Sequence, residues 1–400
     1  MKGCERERGM DFNFTKDEEL WQWAVKDFAN REIAPRELTT FDQSLKDTLK
    51  KMGELGFFSI KLPEQYGGDP ANWVMLGILT EEISKVNAGI AYFILVSHEV
   101  AFSLASYGTD EVKEEFLPGL IRGDTVGCIC SNEPNAGVDF QAIESRADKD
   151  GETYIVTGEK NPVSFGMHAD VTLSFAKTGP GKKEITAMLI PLGLPGISRF
   201  PLRNMGLSLS ASASLRFDGA QIPLRYRIGE VGGGLQVNAT TGILSNANKI
   251  IAGLISLGVA QTALKLAIQY SKERVAFGKP IVKFEGLSNK IAEDATFIEA
   301  GRWLCYRALS LKDRGSSHTK EAAMCGWWCP KIAYEVIQDS LLIHGHAGYC
   351  DDHPFQQMLR DIVAFEMISG TENILKLIVS HETIGSMAVP DNLSNQFSNY

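Results

Sequence analysis

Apolar residues recur at helical spacing from Thr15 to about Arg122. A predicted first helix begins after Thr15, which forms a capping box with Glu18, because each side chain can accept from a free backbone N–H of the first turn. Apolar segments at residues 49–56, 74–84 and 88–107 have the same period and predict three more helices. The chain is therefore predicted to begin with a helical domain.

The pattern changes near residue 125, where short segments rich in β-branched and aromatic residues alternate with Gly, Pro, Asn and Asp. They predict strands of a compact antiparallel sheet, at residues 126–130, 153–156, 171–175, 186–190 and 214–217. Beyond three glycines at residues 232–234, long periodic segments predict a four-helix bundle, at residues 243–274, 290–314, 319–344 and 371–384. The sequence thus predicts an α+β fold with domains at residues 1–124, 125–234 and 235–400.

Composition narrows the class of protein. The 400 residues are 44% hydrophobic and 22% charged with a net charge of −9, which argues against a nucleic-acid-binding surface. We expect no membrane span, because no run of 18 apolar residues exists, and the mixed charges at the N-terminus match neither a secretory nor a mitochondrial signal. Seven cysteines without metal-like spacing predict free thiols in a reducing cytoplasm, and His344, His346 and His353 lack the carboxylates of a metal site.

Short motifs carry the candidate chemistry. They are NEPNAGVD at residues 132–139, RVAFGKP at 274–280, HGHAGY at 344–349, RD at 360–361 and MISGTEN at 367–373. In this order, over residues 12–385, they resemble the acyl-CoA dehydrogenase family of flavoproteins. The resemblance implies noncovalent FAD between the β domain and the bundle, and a CoA thioester as substrate. It also implies an electron-transferring flavoprotein as partner, and a homotetramer or dimer.

The resemblance also implies which residues hold FAD. Arg274 would reach the diphosphate of a neighbouring subunit, and a guanidinium suits that role because it can bond two oxygens at once. Asn132 and Ser164 would contact the flavin ring, and Thr371 the diphosphate. The complete set of expected cofactor contacts is Cys130, Asn132, Ser164, Arg274, Phe277, Phe284, His344, Gly345, Gly348, Thr371 and Asn373.

The chain departs from the family at the catalytic base. Most members carry a glutamate before the Gly-Thr pair to take the α-proton, whereas this chain has Ser369. A branch of the family places the glutamate on the first bundle helix, where this chain has Asn248 followed by Lys249. Neither an amide nor a hydroxyl is basic enough to remove an α-proton unaided. The backbone N–H of Ser369 can still polarise the thioester carbonyl.

A substitute base is predicted on the apolar helix at residues 88–107. Ile90, Ile94 and His98 share one face of this helix. Ala91, Leu95 and Glu99 share the adjacent face, displaced by one residue along the chain. His98 or Glu99 could act on a carbon distal to the thioester, with Glu99 preferred; a core-edge histidine and an exposed glutamate are the alternative interpretation. The expected substrate contacts are Ile90, Ala91, Ile94, Leu95, Val138, Lys249, Ile368 and Gly370.

Several functions remain open from the sequence. A cyclic or otherwise bulky unsaturated acyl-CoA is the leading substrate class, since relatives without the usual glutamate act on such esters. A non-redox lyase such as a desulfinase is disfavoured, because the predicted pocket helix carries no arginine for a distal anion. A third interpretation of the sequence is a catalytically silent subunit of a heteromeric enzyme. A flavin monooxygenase of this fold would usually lack the Gly-Thr motif that is kept here.

Overall fold

The computed structural model describes residues 13–36, 38–181, 184–242 and 244–388. The first domain is helical, as predicted, and its first helix has the expected capping box, with Thr15 accepting from the Glu18 N–H and the Glu18 carboxylate accepting from the Thr15 N–H. The predicted start of the bundle at residue 243 and the N-terminal segment at residues 1–12 lie outside the described residues. The helices of this domain are α1 (Lys16–Phe28), α2 (Gln43–Glu54), α3 (Trp73–Ser84), α4 (Ala88–Tyr107) and α5 (Asp110–Ile121).

The middle domain is a single eight-stranded sheet. Six of the strands are β1 (Gly127–Cys130), β2 (Arg146–Asp150), β3 (Thr153–Val163), β4 (Val171–Lys177), β5 (Ile185–Pro191) and β6 (Ile197–Pro201). The other two are β7 (Ala213–Pro223) and β8 (Arg227–Ile228). Their order is β6-β7-β3-β2-β4-β5-β8, with β1 paired to β4. Neighbours are antiparallel except β1 with β4 and β2 with β4, which are parallel pairs that the sequence does not reveal.

The C-terminal domain is helical and packs around α7, whose middle is buried on all sides. A hairpin of two short strands joins α7 to α8. The elements are α6 (Gly234–Thr240), α7 (Asn246–Glu273), β9 (Val275–Ala276), β10 (Lys279–Pro280) and α8 (Glu285–Asp313). They continue with α9 (Thr319–His344), α10 (His346–Tyr349), α11 (Phe355–Ile368) and α12 (Glu372–Ile384). The sequence-based prediction placed no helix at α11, and it identified only the RD and MISGTEN motifs in that part of the chain.

Two helices, α4 and α7, are long and apolar enough to span a membrane, yet 89% and 78% of their most apolar windows are buried inside the fold. They are core helices, and burying both faces explains why they are apolar all round. Helix α4 lies against β1 and α7, so it connects all three parts of the chain. This position decides which of its side chains reach the functional site.

Candidate active site

A cavity of about 490 Å³ lies between the sheet and two helices. One wall is formed by Ile129, Ser131, Asn132 and Ser164 of the β domain. Helix α4 forms another wall, and the C-terminal half of α11, including Ile368, forms a third. A mostly apolar cavity with a few convergent polar groups is the usual form of a ligand site.

The face of α4 that lines the cavity carries Tyr92, Val96 and Glu99. These positions are spaced i, i+4 and i+7, so they fall on one side of the helix. The Tyr92 hydroxyl donates to the Ser164 hydroxyl at 3.0 Å, and burial raises the pKa of Tyr92 to about 12. Tyr92 therefore stays protonated and fixes Ser164 on the β-domain wall. The sequence analysis had missed Tyr92, although a polar side chain within this apolar helix was a signal.

This geometry corrects the sequence-based placement of the other α4 residues. Ile90, Ala91 and Ile94 are fully buried but do not line the cavity, and Leu95 lies on a separate small cavity. Because α4 is buried on every side, hydrophobicity alone could not reveal which face meets the cavity. Nor is Glu99 exposed, as the alternative interpretation held: it is 4% exposed.

His98 points away from the cavity. Its Nε2 lies 3.0 Å from the Ile60 carbonyl oxygen, and its ring stacks on Phe102 and meets the edge of Trp73. Burial lowers the pKa of His98 to about 4, so the ring is neutral at physiological pH. The structure thus gives His98 the core-edge position that the sequence analysis had held as the alternative to a base.

Glu99 is connected to both positions at which the family carries its base. The Asn248 side chain donates from Nδ2 to the Glu99 carboxylate at 2.6 Å and accepts at Oδ1 from the Ser369 hydroxyl at 2.5 Å. All three residues are at most 4% exposed. An amide at residue 248 and a hydroxyl at residue 369 therefore orient a single carboxylate.

Burial dominates the acid–base properties of this group. It raises the pKa of Glu99 to about 8, against the opposing effects of the Asn248 hydrogen bond and the Lys249 charge. Burial also lowers the pKa of Lys249 to about 7. The Lys249 ammonium group donates to the Leu244 and Ser245 carbonyl oxygens at 2.5 and 3.3 Å and does not line the large cavity. Glu99 thus titrates near neutral pH, which suits a general base.

Several expected cofactor contacts lie outside the cavity, on the surface of the bundle. Thr371 is exposed and precedes α12, yet its side chain makes no capping hydrogen bond, so its hydroxyl and the helix N-terminus are available to an anion. Asn373 is exposed on the same helix, and Gly370 is half-buried with a φ of +109°. A diphosphate at this helix end and a flavin ring between Ser164 and α11 fit the donors that FAD requires.

The hairpin between α7 and α8 projects its side chains outward. Arg274 and Phe277 are exposed, with Phe277 at 96%, and neither lines the cavity of its own chain. Phe284 is the N-cap residue of α8, and its ring lies 4.2 Å from the Lys279 ammonium group. An exposed aromatic side chain such as that of Phe277 is available for contact with another chain.

Other expected contacts have local structural roles. His344 stacks on Tyr270 and donates from Nδ1 to the Ser340 carbonyl oxygen at 2.8 Å. A Cβ at Gly348 would lie 2.4 Å from the Leu341 carbonyl oxygen, and Gly345 has a φ of +61°, so both glycines are needed to end α9. Cys130 is buried behind the cavity wall, where its Sγ meets the Thr172 hydroxyl, and Val138 is an exposed loop residue that does not line the cavity.

The cavity also has two cationic side chains, Arg203 and the Arg360 of the RD motif. Arg203 is exposed beside Asn204 and Met205, and the Arg360 guanidinium donates to the side chains of Gln356 and Gln357. Among the described residues, no group of three or more His, Cys, Asp or Glu side chains could hold a metal ion.

Comparison with known proteins decides the family. Three family models match consecutive parts of the chain: "Acyl-CoA dehydrogenase, N-terminal domain" at residues 15–124, the middle domain at 128–220 and the C-terminal domain at 239–384. The chain belongs to the acyl-CoA dehydrogenase family. It is therefore a flavin-dependent CH–CH oxidoreductase of CoA thioesters that uses FAD.

Individual relatives cover nearly the whole chain. An acyl-CoA dehydrogenase of Bacillus subtilis (strain 168) is 33% identical over 377 residues, which are 93% of this chain and 99% of the relative. Butyryl-CoA dehydrogenase from Megasphaera elsdenii has a TM-score of 0.89 at 29% identity, covering 94% of this chain and all of that one. A chain in a structure of the electron transferring flavoprotein of Acidaminococcus fermentans has the same TM-score and coverage at 31% identity.

We expect the Arg274→Ala variant to lose FAD, because a diphosphate charge would be left unpaired. The measurement is the flavin absorbance near ~450 nm that stays with the protein through gel filtration. The control is Arg31→Ala, which removes an exposed arginine that pairs with Asp27 in the first domain. FAD retention by the Arg274 variant equal to that of the control would place the diphosphate contact elsewhere.

Proposed function

We propose that this flavoenzyme acts on a cyclic or otherwise bulky unsaturated acyl group of a CoA thioester, with Glu99 as the base. The observation that carries the proposal is the hydrogen-bonded sequence Ser369–Asn248–Glu99 at the cavity wall. It supports an enzyme whose base has moved to α4, rather than a subunit that has lost its base. Cytoplasmic location and a homotetramer are part of the same proposal.

The position of Glu99 favours a proton distal to the thioester. Its carboxylate lies one amide group beyond Ser369, where most of the family has the base. Glu99 is also seven residues along α4 from Tyr92, about 10 Å at 1.5 Å per residue. A carbon–carbon double bond conjugated with the thioester acidifies the carbon beyond it, whereas a saturated linear chain has no acidic proton there.

The chain's own residues account for binding and proton transfer. Tyr92 orients Ser164 on the flavin side, and bound FAD supplies the acceptor for the substrate's hydride. Arg203 and Arg360 place positive charge at the cavity, which suits the phosphates of CoA. Asn248 holds the Glu99 carboxylate toward the acyl group. The buried, mostly apolar walls exclude water from the proton that Glu99 removes.

An electron-transferring flavoprotein is proposed as the electron partner. The support is the similar chain found in a structure of that class of protein from A. fermentans. The proposal for the substrate does not depend on this partner, because the first reduction of bound FAD needs only the acyl-CoA.

The deciding experiment adds acyl-CoAs anaerobically to the purified FAD protein and follows bleaching of the flavin. Cyclohex-1-ene-carboxyl-CoA should bleach it rapidly, and butyryl-, octanoyl- and palmitoyl-CoA slowly or not at all. Rapid bleaching by the three linear esters, with none by the cyclic ester, would overturn the proposal. No bleaching by any ester would instead favour the non-redox or silent alternatives.

The pH dependence follows from the Glu99 pKa. The base must be ionised to accept a proton, so kcat/KM for cyclohex-1-ene-carboxyl-CoA should rise with pH through about 8. Removing the Asn248 hydrogen bond, which favours the ionised carboxylate, should move the midpoint to higher pH in Asn248→Leu. The control Asn246→Leu, which removes a hydrogen bond to Thr319, should keep the midpoint. An unchanged midpoint in Asn248→Leu would show that another group titrates.

A further inference from the structure

A polar stripe runs along the otherwise apolar helix α4. Glu99, Ser103 and Tyr107 follow one another at a spacing of four residues, so they share one face of the helix. Glu99 lies at the cavity, Ser103 is fully buried, and Tyr107 is the last residue of the helix and partly exposed. The stripe covers about 12 Å at 1.5 Å per residue and leads from the active site to the surface.

Each residue of the stripe has a polar partner on the stretch of chain from the last residue of α6 to the first turn of α7. Asn248 meets Glu99 at 2.6 Å, Thr241 meets Ser103 at 2.7 Å, and Thr240 meets Tyr107 at 2.8 Å. Buried hydroxyls in an apolar helix are costly unless they are hydrogen-bonded. Here one carboxylate–amide pair and two hydroxyl pairs follow one another between the same two segments. Thr241 and Thr240 also donate to the backbone carbonyls four residues earlier in the chain.

A second, small cavity of about 10 Å³ lies behind Glu99. Its polar lining includes Thr240, Thr241 and Ser245, together with Glu99 and Asn248. This volume holds about one water molecule, and such a water would have the several polar partners that it requires. The Ser245 hydroxyl accepts from the Asn248 N–H, so its own proton is not used in that bond. Glu99 thus lines both the large cavity and the small one.

The other routes by which a proton could leave Glu99 are unfavourable. A bound acyl group fills the large cavity, so a proton on Glu99 cannot leave in that direction before the product does. Asn248 is an amide and does not titrate, and its partner Ser369 is 2% exposed. His98 also lines the small cavity, but its Nε2 is engaged with the Ile60 carbonyl. Lys249 donates to the two carbonyls at the start of α7 and does not line the small cavity.

We propose that the proton taken by Glu99 leaves through the small cavity, where the Thr241 hydroxyl holds the water, and then along the hydroxyls of Thr240 and Tyr107 to solvent. This inference rests on the proposed role of Glu99 as base. The carboxylic acid gives its proton to the water of the small cavity, and the water passes a proton to the Thr240 hydroxyl, which lines the same cavity. Thr240 passes its own proton to the Tyr107 hydroxyl, and Tyr107 releases one to bulk water. The residues end as they began, with Glu99 ionised for the next turnover.

The test separates the first proton abstraction from its release. FAD enzyme is mixed anaerobically with cyclohex-1-ene-carboxyl-CoA in weak buffer with a pH-indicator dye, and flavin bleaching and proton release are recorded together. The wild type should release its proton in step with bleaching, before the product is displaced. In Thr241→Val, bleaching should keep its rate, while proton release and steady-state turnover should slow by about 10-fold or more.

Two variants separate the effect of the Thr241 hydroxyl from the effect of the packing of its side chain. Thr241→Ser keeps the hydroxyl and should restore proton release. Thr80→Val is the matched control, because Thr80 is also a buried threonine that donates to the carbonyl four residues earlier, but it lies on α3 outside both cavities. It should leave both signals unchanged.

The outcomes distinguish the relay from the function on which it rests. If Glu99→Gln bleaches at the wild-type rate, or if the cyclic ester does not bleach the wild type, Glu99 is not the base and both proposals fall. If Glu99→Gln blocks bleaching but Thr241→Val releases its proton as fast as the wild type, only the relay is overturned. Proton release by the wild type that follows product displacement would also overturn the relay alone.

Discussion

Replacing Glu99 with glutamine will slow flavin bleaching by cyclohex-1-ene-carboxyl-CoA by about 10²–10⁴-fold, the usual cost of losing a positioned general base. Glutamine keeps the size of the side chain and can still bond to Asn248, but it cannot take a proton. Stopped-flow absorbance near ~450 nm measures the rate, and the same trace before mixing confirms that FAD is bound.

The control is the neighbouring residue His98, replaced by glutamine. His98 faces Ile60 and the ring of Phe102 rather than the large cavity, so His98→Gln should bleach at close to the wild-type rate. The opposite pattern, with a slow His98 variant and an unchanged Glu99 variant, would transfer the role of base to the histidine. Equal rates in all three proteins would place the base elsewhere.

Ser369→Glu will give the enzyme activity on a linear ester that the wild type handles poorly. Butyryl-CoA should bleach the variant at least about 10-fold faster than the wild type, because a carboxylate then stands where most of the family has its base. The gain should fall short of the full factor of about 10²–10⁴, since Asn248 connects residue 369 to Glu99 and two nearby carboxylates resist joint ionisation.

Ser369→Gln is the matched control for that variant. It adds the same bulk at a position that is 2% exposed but supplies no base, so butyryl-CoA should react as slowly as with the wild type. Flavin absorbance and thermal unfolding of both variants check that the buried substitution leaves the fold intact. A glutamine variant as fast as the glutamate variant would attribute the gain to pocket shape, not to proton abstraction.

The sequence showed that residues 369 and 248 carry no base. It did not show which residue takes over that role. The sequence favoured Glu99 over His98 only by residue type, since the rotation of α4 was unknown. Burial on every side removes the polar face that normally reveals a helix's orientation. Tyr92 and Val96 became cavity residues only when α4 was placed against β1 and α11.

By itself, the sequence determined the helical, β and helical order, the family and FAD as the cofactor. Capping, periodicity and short motifs are local, and each can be recognised without knowing what packs against it. The tertiary structure alone decided which face of α4 meets the cavity, and it joined Ser369, Asn248 and Glu99, which are 121 and 149 residues apart in successive steps. Side-chain contacts over such separations depend on how whole elements pack, and no local pattern records them.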